Sequence, residues 1–487
     1  MMATSYTLLP FQFGCFQDDE YLIVNESGEF LFLPRKDVVQ LIDGTLPPTS
    51  RFFDDLRSKQ FIVTGDLAGT LDMVATRYRT RKRFLANFTT LHMMVLTLRC
   101  NQDCKYCQVS SESDDAYDFD MKPEVAEKAV EIAFISPSPV IKIEFQGGEP
   151  TLNWEALTRA VMKAEVINKR SKKTLEFVIC TNLTNMTRSK LEFLRDHQVC
   201  ISTSLDGPEF LHDNNRILRK GGGTHAAFIE KLQSAISICG QDRISALMTT
   251  TSDNVDHFKE VIDEYIRLGF PGVFFRALNP YGLAAKNAER LGYTMAHFAQ
   301  RYEEALDYII ELNLKGTRFV EFFATILLSR ILTPFSTGFV DLQSPSGAGI
   351  SGVIYDYNGD VYPADEGRML ARMGDRRFFM GNIFTDRYDA IFGGPVLQEI
   401  VAKSCVEAMP GCAFCMFRTY CGSDPVRNYL ETGDIVGRRP GNGFCEKNMA
   451  VLKILFRKLR ENDDDVMDVF WSWVTRRSVQ EVRNEVI

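Results

Sequence analysis

The chain has 487 residues, 45% of them hydrophobic and 25% charged, an ordinary globular composition with length enough for two or three packed units. Its 56 lysines and arginines against 64 aspartates and glutamates give a formal net charge of −8, which excludes the broad basic field that duplex nucleic acid or an anionic membrane surface requires. No apolar run approaches the ~20 residues of a bilayer span, the first twenty residues carry neither a basic start nor a long apolar stretch, and the twelve cysteines are too few and too unevenly spread for a disulfide scaffold. The expectation is a cytosolic, cytoplasmic protein with no membrane and no nucleic-acid partner.

Residues 1–85 read as a small α+β domain. YLIVNESGEFLFL is a hairpin pattern turning at Asn25 to Gly28, followed by helical patterns over Asp37 to Ile42 and Ser50 to Lys59 and by the apolar run Phe61 to Val63. Over residues 86–315 short apolar strands alternate with amphipathic helices: MMVLTL, VIKIEFQ, LEFVIC, CISTSL, ISALMTT and GVFFRA, with helices from Pro123, Trp154, Arg188, His225, Val255 and Met295. Six βα units in series predict an α/β fold with a parallel sheet, a partial (β/α)6 TIM-like barrel whose chemistry sits at the C-terminal ends of the strands. Residues 316–345 read as a connector without a chemical motif. Residues 346–450, rich in Gly, Pro, Asp and Cys, read as a small domain held by metal, and 451–487 as a helical tail.

Cys100-x3-Cys104-x2-Cys107 follows directly on the first strand of the βα series. Three thiolates without a nearby histidine leave a tetrahedral zinc site incomplete, but suit a [4Fe–4S] cluster, which needs four ligands and here keeps one iron open. The spacing and its place resemble the radical S-adenosylmethionine (SAM) superfamily. Gly147, Gly148, Glu149 and Pro150, closing the second strand, match that family's glycine-rich segment, where absence of Cβ lets the backbone come close to a ligand. The resemblance further implies contacts to SAM from Asn182 at the end of strand three, Ser204 on strand four and Arg216 beyond it, whose fixed guanidinium suits a carboxylate, with Arg276 at the end of strand six as a further candidate. Asp206-Gly207 also reads as an ordinary turn, and His212 as a helix-surface residue.

Cys412-x2-Cys415-x5-Cys421, followed by Cys445, resembles the SPASM extension of radical enzymes that modify peptides and proteins. That extension usually holds two auxiliary clusters; here four thiolates supply one. Ala364 stands where the turn cysteine belongs, Ser346 where the early one would sit, and Gly422, Ser423, Asp424 and Pro425 follow Cys421 where a further cysteine is usual, so the other cluster has lost its ligands together. A zinc site with four thiolates is the alternative for this set, and Cys405 reads as a buried free thiol. Asp365, directly after Ala364, falls where sulfatase-maturing relatives place a general base, with Glu366 beside it; a structural acid paired with Arg368 is the equal alternative.

The whole chain looks most like the His-Xaa-Ser system radical SAM maturase B family, and its N-terminal segment resembles the winged-helix-like peptide-recognition elements of peptide maturases. The resemblance implies a precursor peptide, leader and core, as partner, a reducing electron donor such as flavodoxin or ferredoxin, SAM with its [4Fe–4S] cluster, and one auxiliary [4Fe–4S] cluster. A sulfatase-maturing enzyme and a non-catalytic iron–sulfur scaffold are the other readings.

Overall fold

The computed structural model describes residues 6–485; the outermost residues of the 1–85 and 451–487 segments, and the start of the N-terminal stretch, lie outside them. Two compact units form, and they do not follow chain order. One comprises residues up to Leu85, Ala324–Gly347 and the chain from Val401; the other comprises Ala86–Phe323 and Ala348–Ile400.

In the first unit β1 (Phe11–Gln17), β2 (Glu20–Asn25) and β3 (Phe30–Pro34) form an antiparallel meander, β1 against β2 against β3. The expected hairpin is β2 and β3, and it turns where Asn25 Oδ1 accepts from the Ser27 and Glu29 amides at 3.1 and 3.0 Å, the local side-chain turn that Asn favours. Gly28 takes φ +84° there, a conformation that costs a glycine least. β1 went unread because its alternation is broken by Gly14 and Gln17. Ile23, Leu33, Val38, Leu41, Phe53 and Phe61 close a core beneath the meander. On its other side the long helix Gly443–Glu461 brings Phe456 to 5.1 Å from the Phe30 ring and 5.5 Å from that of Phe417. The polar helix Leu67–Arg81 buries none of its residues and so offered no apolar stripe to read.

The second unit is built on a nine-stranded sheet. In chain order its strands are β4 (Leu91–Thr97), β5 (Val140–Gly147), β6 (Thr174–Thr181), β7 (Val199–Ser204), β8 (Ile244–Thr249), β9 (Phe275–Arg276), β10 (Gly352–Tyr355), β11 (Asp360–Tyr362) and β12 (Gly381–Asn382). Across the sheet they run β9-β8-β7-β6-β5-β4-β10-β11-β12, parallel from β9 to β10 and antiparallel beyond. Period-two alternation fixes the faces: in β5 Ile141, Ile143 and Phe145 are fully buried, while Lys142, Glu144 and Gln146 stand on the other face with Glu176, Val178 and Cys180 of β6. Five of the six strands and the helices between them are where the sequence pattern puts them, but GVFFRA is split: Gly272–Val273 pairs with Val320–Glu321 in a separate two-stranded sheet, and only Phe275–Arg276 joins the large one. The segment after 346 is different: GVIY pairs with the edge of β4, so residues 348–400 extend the nine-stranded sheet and cover a strand edge that would otherwise be bare. The stretch read as a motif-free connector contains the helix Phe322–Leu332. Among the described residues no helix is long and apolar enough to cross a membrane.

Candidate functional site

The loop carrying the first three cysteines leaves the C-terminal end of β4 and is pinned along its length. Cys100 N donates to Glu112 O at 3.1 Å, Asp103 N to Ile217 O at 2.8 Å, Lys105 N to Asn215 O at 3.0 Å and Cys107 N to Cys104 O at 3.0 Å. Arg99, just before it, pairs with Asp120 at 2.7 Å. Burial pushes the Cys100 thiol far above its usual range, with Cys104 and Glu149 adding to the effect, and pushes Cys104 up to about 11 although Arg216 opposes it. Crowded thiols that resist ionisation alone are suited to a cationic iron–sulfur core, which supplies the missing positive charge. Among the described residues no three His, Cys, Asp or Glu side chains converge as they would around a single ion; ligands of a four-iron cluster each take a separate iron and stand further apart.

Beneath the loop runs a buried relay. Tyr106, between the second and third cysteines, donates to Asp206 Oδ2 at 2.6 Å and accepts from Arg216 Nη1 at 2.6 Å. All three residues are buried. Burial works against the charge on Arg216, but Cys104, Tyr106 and Asp206 push its pKa well up. Asp206 is thus an anchor of the cysteine loop as well as the end of a strand. His212 is buried rather than on a helix surface, and burial holds it neutral.

The glycine segment has a cause in the protein itself. Gly147 lies at φ +147°, and a Cβ there would meet Thr97 O at 2.0 Å; one on Gly148 would meet Arg99 O at 2.3 Å. The close approach is therefore to the backbone leaving β4, sealed by Gly148 N to Thr97 O at 2.8 Å and Glu149 N to Arg99 O at 2.7 Å. Glu149 is fully buried and accepts from Thr151 Oγ1 at 2.6 Å, Thr181 Oγ1 at 2.7 Å and Asn182 N at 2.8 Å. Asn182 Nδ2 donates to Asn101 Oδ1 at 2.8 Å and stands 4.0 Å from Cys100 Sγ. These residues brace the cysteine loop. Among the buried polar atoms without a partner are both amide atoms of Asn215 and Arg216 Nε, in the segment whose backbone holds the cysteine loop. Ser204 ends β7 and Arg276 ends β9, on the same side of the sheet. A polar cofactor such as SAM fits the needs of such orphaned groups.

Asp365 and Glu366 open the helix Asp365–Arg372 immediately after β11. Asp365 Oδ1 stands 3.5 Å from Arg368 Nε, and the Arg368 guanidinium also donates to Val109 O at 3.4 Å. The charge of Asp365 also acts on Glu144 and Cys180. Sequence reasoning missed that pair. Cys180 Sγ donates to Glu144 Oε1 at 3.4 Å, and burial keeps both groups more protonated than usual. The signal was there in β5, whose polar positions Lys142, Glu144 and Gln146 share one face that Cys180 of β6 extends. A cavity of about 700 Å³ lies further along the same interior toward the N-terminal ends of the strands, with Lys142, Glu144, Glu176 and Ser202 in its wall; it is not the cysteine site.

In the first unit Cys412, Cys415, Cys421 and Cys445 act on one another. Burial drives Cys415 up to about 12, with Cys421, Cys412 and Cys445 each adding, and Cys445 up to about 11. Arg439 opposes the rise at Cys412 and Cys445. Cys405 answers to Glu407 and Lys82 instead; it is half-buried, donates to Val401 O at 3.4 Å and stands apart from the set. Ser346 and Ser423 are buried and hydrogen-bonded, Ser346 N to Ser404 Oγ at 2.9 Å and Asn428 Nδ2 to Ser423 Oγ at 3.3 Å, and Ala364 is buried too.

Residues 94–265, which span β4 to β8 and include the cysteine loop, match the profile of the Radical SAM superfamily. Those residues form a radical SAM segment. Members of that superfamily use SAM and a [4Fe–4S] cluster, and the chain is similar to SPASM-type maturases. It is 26% identical over 380 residues to a cysteine-type anaerobic sulfatase-maturating enzyme of Clostridium perfringens, covering 74% of this chain and 94% of that one. Its alignment with a Methanocaldococcus jannaschii protein covers 39% of this chain and 62% of the relative, less than two thirds of that relative's length. Among solved structures, anSMEcpe with bound AdoMet superposes with a TM-score of 0.62 at 19% identity, covering 78% of this chain and 99% of that one. Streptococcus suis SuiB bound to its precursor peptide SuiA superposes at 0.54 with 14% identity, covering 90% and 99%. Both likenesses are of fold.

Proposed function

We propose that this radical SAM enzyme modifies a ribosomally made precursor peptide, in the manner of the His-Xaa-Ser system maturases, beginning with removal of a hydrogen atom from a side-chain or backbone carbon. The cluster and SAM supply that hydrogen-atom chemistry when bound. Cys100, Cys104 and Cys107 hold the cluster; Gly147, Gly148, Glu149 and Asn182 fix the loop that presents it; Ser204, Arg216 and Arg276 orient SAM. Cys412, Cys415, Cys421 and Cys445 hold one auxiliary cluster. Asp365, with Glu366 behind it, takes the proton that must leave when a new bond or an oxidised carbon is made. A flavodoxin or ferredoxin serves as electron donor.

One observation carries the peptide reading. β1 is an edge strand with alternate residues exposed, Phe13 among them, and such an edge accepts an added strand. Solved relatives in the same fold hold peptides: anSMEcpe with the Kp18Cys peptide and SuiB with SuiA. Proline placed in turn at Gln12, Phe13 and Cys15 removes one backbone donor each time. At the position whose N–H faces outward, modification of the neighbouring-gene peptide, followed by mass spectrometry, should fail while uncoupled SAM cleavage continues. Unchanged peptide turnover in all three variants would remove the edge from the reading.

A further inference from the structure

A small cavity in the first unit carries more positive than negative charge. Its wall holds Arg81, Lys82, Arg330 and Arg418 against Glu26 and Glu407, with Cys421 between them. Lys82 pairs with Glu407 and Arg418 with Glu26. That leaves two guanidinium groups with carbonyl partners only. Arg81 donates through Nε to Ser27 O at 2.7 Å and through Nη1 to Arg330 O at 2.8 Å. Arg330 donates through Nε to Tyr420 O at 2.9 Å and through Nη2 to Thr419 O at 3.3 Å. Glu29 also faces Arg81, but it is engaged by Arg77 at 2.6 Å. Carbonyl oxygens satisfy the hydrogens and not the charge, and two neighbouring half-buried cations are destabilised without an anion. Cys421 follows Tyr420 directly in the chain and lines the same cavity as both guanidinium groups.

We propose that Arg330, supported by Arg81, is the counter-charge of the auxiliary cluster held through Cys421 and raises that cluster's reduction potential. This rests on reading Cys412, Cys415, Cys421 and Cys445 as its ligands. A [4Fe–4S] core with four thiolates is doubly negative when oxidised and triply negative after taking one electron, so a fixed cation favours the reduced form. The geometry suits the task, because the two carbonyls that hold Arg330 belong to the residues just before Cys421 and keep the charge at a set place. Arg439 is the second cation of the set, and it lies on the Cys412 and Cys445 side.

The test uses the full chain with Cys100, Cys104 and Cys107 all changed to Ala, reconstituted anaerobically so that only the auxiliary cluster remains. Titration with dithionite, followed by electron paramagnetic resonance, gives the midpoint potential. Arg330→Gln keeps a donor for the Tyr420 carbonyl and removes the charge. At the parent's midpoint its reduced-to-oxidised ratio should fall about tenfold, a shift of about 59 mV toward negative values for a one-electron couple. Arg330→Lys should hold the parent's potential, and Arg81→Gln should move it in the same direction as Arg330→Gln by less. An unchanged midpoint in Arg330→Gln overturns the proposal, and so does an equal fall in Arg330→Lys, which would show packing rather than charge at work. Where Arg330→Gln fails to hold iron, Arg81→Gln decides, an unchanged midpoint there being the refuting result. Failure of the parent itself to hold iron would instead refute the ligand set.

Discussion

Tyr106→Phe tests how the first cluster site is built. The hydroxyl makes two bonds of 2.6 Å in a buried setting, one to the Asp206 carboxylate and one from the Arg216 guanidinium. Each involves a charged partner and so contributes about 1.5–3 kcal/mol. Their removal leaves the carboxylate and the guanidinium buried and facing each other across a gap, and Asp206 keeps only the Thr249 amide at 3.3 Å. Part of the loss is recovered if Arg216 moves toward Asp206. The net expectation is about 3 kcal/mol, a large share of a typical domain's 5–15 kcal/mol. Urea unfolding of the apoprotein followed by circular dichroism measures it directly. Because Tyr106 lies between Cys104 and Cys107, the variant should also assemble less iron at its first site. A stability change below about 0.5 kcal/mol, with full iron content, would show that the relay carries neither the loop nor the barrel, since surface-like substitutions fall in that range.

Other outcomes follow from the same geometry. Reconstituted protein should bind about eight irons as two four-iron clusters, and the Cys100, Cys104, Cys107 triple Ala variant about half of that with no SAM cleavage; colorimetric iron assay and chromatography of 5′-deoxyadenosine check both, and about twelve irons per chain would contradict the ligand sets. In Asp365→Asn, product should fall by ~10²–10⁴-fold while hydrogen transfer into 5′-deoxyadenosine persists; wild-type product from the Asp365→Asn, Glu366→Gln double variant would reduce both acids to helix-capping and Arg368 pairing. The apoprotein should lose stability as pH rises from 9 toward 11, because burial keeps Cys104 and Cys445 protonated to about 11 while thiols of the unfolded chain ionise near 9.0, so that rising pH favours the unfolded state. Urea midpoints across that range, flat with pH, would contradict the burial of these thiols.

Much of this was legible in the sequence where local pattern and tertiary need agree. The helix from Met295 to Leu314 and the helix from Arg188 to Asp196 fall where the apolar spacing puts them, because each lays one stripe on the sheet. The cysteines announce themselves by spacing alone. What sequence could not give is long-range pairing: nothing local in GVIY says that it completes the edge of a strand made some 260 residues earlier. The glycines at 147 and 148 were read as room for a ligand, when the clash a Cβ would make is with the backbone of the cysteine loop. Tyr106 and Asp206 were invisible as a pair for the same reason, being joined only by folding.

The meander formed by β1 to β3 is translated before the large sheet, yet the aromatic face of Phe30 and Phe32 meets Phe456 only after more than four hundred further residues have been made. At ~5–20 residues per second that is roughly 20–80 s on the ribosome, during which an apolar sheet face has no mate within the chain. The barrel strands β4 to β9, in contrast, are complete well before synthesis ends. Nascent chains therefore have the strands β4 to β9 made while the earlier meander still waits for its helix. A chaperone or ribosome-bound factor covering Phe30 and Phe32 would govern yield more than any property of the finished protein. Recombinant expression should accordingly be more sensitive to elongation rate and to the supply of such factors than the stability of the purified enzyme implies.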